Sequence, residues 1–314
     1  MVYREFIAYQ YSGFQSFRKF AYLIILLYHN VRVRDWRAYM AMGMLGYLHY
    51  SQNLPASRFI LNAIMLAITL VLYLAFAFSI NNCFDVDCDR LQQRKLTKNP
   101  IASGLINFKT GLVFSLCLAF TGFLLTLIWF QPAGTPSTIY LALLTLAGFY
   151  SSPPLRFKSK PFFDLLSHSL FFGGLLYLYG ASAGGGLPLY LLPIALSISL
   201  YSIILELRNH IEDFQADASA GVRTVVIRLG CKRSETILRV LLTWHWICLA
   251  AISIISYPYA TVIPVAALIY LLARWESVSI SSSYLRVADL ATCIFYSVIT
   301  FPHVLTIVLR VLTL

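Results

Sequence analysis

Charge is what this chain has least of. Only 12% of its 314 residues are Asp, Glu, Lys or Arg, while 59% are hydrophobic; a soluble domain usually carries about a quarter charged residues. One core of this size cannot shelter so much apolar surface from water. A soluble globular protein is therefore excluded, and lipid is the expected solvent. Cysteine is sparse and dispersed: Cys83, Cys88, Cys117, Cys231, Cys248 and Cys293 read as reduced, small apolar residues rather than a disulfide framework. Cys83 and Cys88 flank an acidic stretch but lack the short ligand spacing and second pair of a thiolate zinc site. No small-residue cleavage site follows the first apolar run, so a cleaved signal peptide is not expected.

The stretches without any charge locate the membrane spans. No Asp, Glu, Lys or Arg occurs from Ala38 to Ser57, Phe59 to Phe84, Thr110 to Leu155, Leu165 to Leu205, Val240 to Ala273 or Leu290 to Leu309. A crossing takes about 20 apolar residues, so three of these gaps hold two crossings each. Each of the three has a turn signal near its middle: QPAGTPS at 131–137, GASAGGGLP at 180–188 and SYPYA at 256–260. The count is nine spans, the pair inside Val240 to Ala273 being the most cramped. FRKFAYLIILLYHNVRVR at 17–34 is basic at both ends with a short apolar middle. It suits an amphipathic helix lying in the interface, with a tenth crossing as the alternative.

Nine spans with a cytoplasmic N-terminus put 22 of the 24 Lys and Arg on one face. Only Arg58 and Arg310 fall opposite, and all 13 acids join the basic face. That distribution obeys the positive-inside rule and makes the polar surface cytoplasmic. The net charge of +11 then reflects topology, not nucleic-acid binding.

On that face one pattern occurs twice. In NNCFDVDCDR, Asn81, Asp85 and Asp89 are spaced four and four; in NHIEDFQAD, so are Asn209, Asp213 and Asp217. Each triplet follows an even-numbered span, which suggests two similar halves, about 36–160 and 162–275, plus an extra ninth helix. Residues four apart lie one above the other on a helix. Asp85 and Asp89 can therefore converge on one cation, and Asp213 and Asp217 on a second. Hard carboxylate oxygens with few protein ligands suit Mg²⁺, which shares itself with substrate phosphates, and a metal relieves the repulsion between neighbouring carboxylates. Arg90, Arg94, Lys95 and Lys98 follow the first ladder, Arg223, Arg228, Lys232 and Arg233 the second, and YSSPPLRFKSKP adds Arg156, Lys158 and Lys160. Two Mg²⁺ ringed by these cations make a receptor for a diphosphate. An apolar, aromatic-rich setting (15% Phe, Trp and Tyr) favours a ligand with a long hydrocarbon tail.

Three blander accounts compete. Single acidic clusters at helix ends are often solvated loop charges, and basic residues there can simply set topology or touch lipid heads. A divalent-cation transporter would use intramembrane acids as an ion path, but it would place them at mid-membrane depth, whereas these gather at one face.

Those motifs resemble the UbiA-type intramembrane prenyltransferases. NNCFDVDCDR is similar to that family's first aspartate-rich motif, N-D-x-x-D-x-x-x-D, with Asn82 standing where the family usually has Asp. NHIEDFQADASAGVRTVVIRLG resembles the second motif through Asn209, Asp213, Asp217, Gly221, Thr224 and Gly230, and YSSPPLRFKSKP resembles the Tyr-Ser-x-Pro-Pro-x-Arg-x-Lys loop. The resemblance implies an all-α polytopic membrane bundle, here one domain over 1–314 with 1–34 as interfacial segment, around a central cavity open sideways to lipid. It implies transfer of an isoprenoid from its diphosphate to an aromatic or lipophilic acceptor through an allylic cation. Carried over residue by residue, Asp85, Asp89, Asp213 and Asp217 are catalytic and bind two Mg²⁺, with Asn81, Asn82 and Asn209 assisting. Arg94, Lys98, Arg156, Lys158 and Arg223 are the diphosphate contacts. A quinone precursor is the favoured acceptor; a glycerophosphate ether or a tetrapyrrole is the alternative.

Overall fold

The computed structural model describes residues 18–312 apart from 92, 131–133, 220 and 281. The first 17 residues of the interfacial segment and part of the QPAGTPS turn lie outside the described residues. Among the described residues regular structure is helical throughout. In chain order the helices are α1 (18–30), α2 (Arg37–Tyr50), α3 (Ala56–Phe84), α4 (Val86–Arg90), α5 (Gln93–Leu96), α6 (Phe108–Trp129) and α7 (Thr135–Ser151). There follow α8 (Phe163–Ser169), α9 (Leu175–Ala183), α10 (Leu192–Glu212), α11 (Phe214–Ser219), α12 (Val225–Leu229), α13 (Cys231–Ser256), α14 (Val262–Ala273) and α15 (Ser283–Leu312).

Every predicted span has helix at its position, but among the described residues five helices are long and apolar enough to cross a membrane: α3, α6, α10, α13 and α15. The other four are shorter for visible reasons. A π-helical turn, Leu170–Gly174, separates α8 from α9, and inside it Gly173 leaves helical geometry (φ −128°, ψ −105°). The cramped pair divides unequally: α13 starts at Cys231, ahead of the uncharged gap, and runs 26 residues, leaving 12 for α14. The helices α2 and α7 have 14 and 17 residues. Large apolar side chains such as Val113, Phe120 and Ile128 on α6 and Ile254, Ile255 and Ile269 on α13–α14 stay exposed. A continuous apolar exterior of this kind is stable only against lipid, and the chain is an integral membrane protein.

Packing brings the ladder-bearing helices to one end of the bundle. The backbones of α2 and α9 meet through glycine: a Cβ on Gly46 would sit 1.9 Å from the Tyr177 carbonyl oxygen, and one on Gly180 1.8 Å from that of Gly43. Only residues without a side chain allow that approach. α3 packs on α6 and α7, α10 on α13, and α15 returns from α14 to lie against α2. One core gathers around Tyr73, Tyr140, Tyr179 and Leu143, the other around Trp246, Leu242, Leu271 and Phe295. One side of α1 docks through Leu26 against Cys83, Ile101 and Ile106, while Phe20, Tyr22, Ile24 and Tyr28 are exposed.

Candidate active site

Both long ladder helices stop one residue short of an aspartate. α3 ends at Phe84 and α10 at Glu212; Asp85 (φ −100°, ψ 5°) and Asp213 (φ −88°, ψ 4°) then take up the same bridge conformation, a region often occupied by active-site residues. The hydrogen bonds match as well. Asp85 N–H donates to the Asn81 carbonyl (3.0 Å) and Asp89 N–H to that of Asp85 (2.8 Å); Asp213 N–H donates to Asn209 (2.9 Å) and Asp217 N–H to Asp213 (2.9 Å). The four-residue spacing therefore stays helical in register across each break. In each ladder the second carboxylate is the deeper: Asp89 and Asp217 are buried, Asp85 and Asp213 partly open.

The two ladders line one cavity of about 900 Å³. Asn81, Asn82, Asp85, Asp89, Asn209, Asp213 and Asp217 all border it, as do Arg94, Lys98, Arg156, Lys158 and Arg223. Cations meet both ladders. Lys158 pairs with Asp85 and lies 3.3 Å from Asn81 Oδ1; Arg156 approaches Asp85 at 3.9 Å and donates to the Phe84 carbonyl at 3.2 Å. Arg156 does so from a left-handed backbone (φ 38°), an uncommon conformation for a side chain of this size. Lys95 reaches Asp213 at 3.1 Å and Arg94 at 3.9 Å. Burial pulls the Lys158 ammonium down to about 7, against which the Asp85 carboxylate in contact with it favours the charged form.

Two of the expected contacts are committed elsewhere. Lys98 turns to Asp35, 3.3 Å from both carboxylate oxygens. Asn82 is wholly buried and donates its amide to the backbone and side chain of Asn30 (2.8 and 3.1 Å), tying α3 to α1.

Mg²⁺ fits the donor set. Among the described residues no three of His, Cys, Asp and Glu gather into a closed cage, and Mg²⁺ needs none, since it keeps waters and completes its shell with substrate phosphate. Burial, helped by the neighbouring Asp213 carboxylate, raises the Asp217 carboxyl above the usual range although Lys95 and His210 oppose it. A divalent cation relieves that crowding.

Several residues in and behind the cavity wall were not singled out from the sequence. Arg32, Asp35 and Tyr39 come from the segment between α1 and α2. Asn99 is a fully used hub: its amide donates to the Asn82 carbonyl (2.9 Å) and to Asp89 Oδ2 (2.8 Å), and its oxygen accepts from the Ile101 and Ala102 N–H groups (3.0 and 3.1 Å). Deeper in the cavity stand Tyr150, His168, Glu206 and His210. Glu206 Oε1 receives the Tyr150 hydroxyl (3.1 Å) and faces His210 Nε2 (3.3 Å); Oε2 receives the Asn209 amide (3.1 Å) and faces His168 Nε2 (3.4 Å). One signal was available: Glu206 precedes Asn209 by three and Asp213 by seven, hence lies on the ladder's own helix face. The histidines and tyrosines carry no formal charge and leave no trace in a charge map.

A family model described as the UbiA prenyltransferase family matches residues 39–297. The chain belongs to the UbiA prenyltransferase family. It is a membrane prenyltransferase. Its curated relatives include the lycopene elongase/hydratase of Halobacterium salinarum, 29% identical over 220 residues, 68% of this chain and 74% of that protein. The 2-acylphloroglucinol 4-prenyltransferase of Humulus lupulus is 30% identical over 164 residues, half of this chain but only 38% of its own length. The digeranylgeranylglyceryl phosphate synthase of Methanoregula boonei is 29% identical over 202 residues, 62% of this chain and 65% of that protein. Among solved structures, a UbiA homolog from Archaeoglobus fulgidus bound to DMAPP and Mg²⁺ has the same fold, with TM-score 0.71 at 18% identity over 90% of this chain and 98% of that one.

Proposed function

We propose that this UbiA-family enzyme moves an allylic prenyl group from its diphosphate to a lipophilic acceptor inside the cavity, in a reaction that requires Mg²⁺. The observation that carries the proposal is that Asp85, Asp89, Asp213 and Asp217, from ladders 128 residues apart, border one cavity. Asp85 and Asp89 hold one ion and Asp213 and Asp217 a second, with the Asn81 and Asn209 oxygens beside them. Bound Mg²⁺ supplies positive charge against the diphosphate as it leaves. Lys158, Arg156, Lys95 and Arg94 turn from the carboxylates to the diphosphate oxygens, joined by Arg223 from the cavity wall, and orient it, fixed charge aimed at developing charge. Tyr39, Phe78, Phe171 and Phe172 wall the inner cavity; they exclude water and present electron-rich faces to the allylic cation left when the C–O bond breaks. The acceptor's carbon or oxygen then attacks, and the proton it gives up passes to the released diphosphate. A quinone precursor heads the acceptor classes, followed by a glycerophosphate ether, a tetrapyrrole, an acylphloroglucinol and a carotenoid.

In the same proposal all nine helical stretches cross the membrane, α1 lies in the interface, and the single domain consists of two related halves, 36–160 and 162–275. The matched breaks at Asp85 and Asp213 support the repeat, and the gathering of Lys and Arg at the cavity supports a cytoplasmic mouth.

The test is transfer of labelled prenyl diphosphates by the purified protein with and without Mg²⁺ across that acceptor panel. Asp85→Ala or Asp213→Ala removes Mg²⁺-dependent transfer while the protein stays folded; near-normal turnover in either refutes the two-ion assignment. Labelling of cysteines introduced beside each ladder finds both on the cytoplasmic face; opposite faces end the shared site.

A further inference from the structure

The floor of the cavity is more polar than a prenyl chain requires. Glu206 sits seven residues before Asp213, about 10 Å deeper along α10 at 1.5 Å per residue. A buried carboxylate at that depth is costly unless paired, and here each oxygen faces two partners, Tyr150 and His210 on one, Asn209 and His168 on the other. His168 is itself held by Ser202 at 3.1 Å. The carboxylate is thus saturated. Its consequence lies in its neighbours. Tyr150 has spent its only proton on Glu206, so its oxygen can only accept, and anything that meets it must bring a donor. Tyr39 stacks on Phe172 (centroids 4.3 Å apart, planes at 21°) and borders the same cavity, yet its hydroxyl has no hydrogen-bond partner among the described residues.

We infer that this floor is an acceptor subsite built for a neutral hydroxyl, contacted by Tyr39 and Tyr150 and positioned by Glu206. The inference deepens the proposed prenyl transfer and rests on it. A hydroxyl donating to Tyr150 and bonded to Tyr39 satisfies both phenols. A hydrocarbon acceptor leaves the Tyr39 hydroxyl unpaired, and a site built for a hydroxyl discriminates strongly against an analogue lacking it. An ionised carboxylate brings no proton for the Tyr150 oxygen to accept and is not held there. The substrate class is therefore a phenol, enol or alcohol that enters hydroxyl-first.

Tyr39→Phe is the clean variant, because the hydroxyl it removes holds nothing else in place. Binding to the purified full-length protein is measured without prenyl diphosphate for 1,4-naphthalenediol, an acylphloroglucinol and an alkylglycerol, each against its O-methylated counterpart, and for lycopene. At least one hydroxylated compound binds about tenfold or more tightly than its methylated partner. Tyr39→Phe removes that preference, and in turnover it raises the acceptor KM about tenfold while the prenyl diphosphate KM holds. Glu206→Gln shifts the same parameter. Equal binding of methylated compounds or of lycopene, no binding of any hydroxylated compound, or an unchanged Tyr39→Phe overturns the subsite. If instead the prenyl-transfer proposal is what fails, hydroxyl-selective binding persists while Mg²⁺-dependent turnover is absent with every prenyl diphosphate.

Discussion

Lys95 Nζ lies 3.1 Å from Asp213 Oδ2. Lys95 belongs to α5, in the segment that follows the first ladder, whereas Asp213 is the first carboxylate of the second. The segment just past the first ladder thus supplies counter-charge to the carboxylates of the second, and ties the two ladders together across the cavity.

Because Lys95 and Asp213 are both partly exposed, their pair adds little to stability, under about 1 kcal/mol. Lys95→Met is expected to leave the melting temperature nearly unchanged and to raise the KM for prenyl diphosphate about tenfold, with the acceptor KM unaffected. Steady-state kinetics with each substrate varied in turn separates these parameters; a variant that melts early but keeps its KM would make Lys95 structural.

If the ladders grip one leaving group, their losses do not add. Asp85→Ala and Asp213→Ala should each lower kcat/KM by about a thousandfold, and the double variant should be scarcely worse than either single one, as with residues acting as a unit. Multiplying losses would mean two independent sites.

Asn99 is not itself an expected ligand, yet it fixes Asp89 through its 2.8 Å hydrogen bond. Asn99→Ala frees that carboxylate and two N–H groups of the loop, so the Mg²⁺ concentration for half-maximal activity should rise about 10- to 100-fold, the usual cost of losing a ligand's support. Titration of activity with Mg²⁺ reads it directly. Excess Mg²⁺ should restore much of the rate; a deficit that no Mg²⁺ concentration relieves would count against the supporting role.

Gly46 and Gly180 have no room for a methyl group, since the obstacles are backbone carbonyls. Gly46→Ala and Gly180→Ala should each destabilise by about 1–3 kcal/mol by forcing α2 and α9 apart. Thermal unfolding in detergent tests this. Gly104→Ala and Gly134→Ala are poor controls, because both glycines have positive φ (77° and 58°); Gly148, whose nearest neighbour would be a ring atom of Phe76 at 4.0 Å, is the suitable one and should tolerate Ala.

Much of this was legible before any coordinates. Solvent class followed from composition, because the cost of exposing apolar groups sums over residues whatever their arrangement. The ladders were legible because a spacing of four has a geometric meaning on any helix, and Asp85, Asp89, Asp213 and Asp217 do border one cavity. The lengths of α8, α9 and α14 were not, since the break at Gly173 and the early start of α13 at Cys231 depend on what each helix packs against. Charge counting and the motif put Lys98 and Asn82 near the ladder but did not show that Asp35 and Asn30 claim them.

The sequence by itself determined the membrane, the helices, the two carboxylate ladders and the kind of ion they suit, all properties of single residues or of neighbours within a turn. Only the tertiary structure decided that Lys95 meets Asp213, that Asn99 holds Asp89, and that Tyr150 and His168 meet at Glu206. Those contacts join residues from 10 to more than a hundred positions apart. They exist because glycine-seamed helices pack at one fixed distance, and no local rule along the chain encodes which side chains such packing will bring face to face.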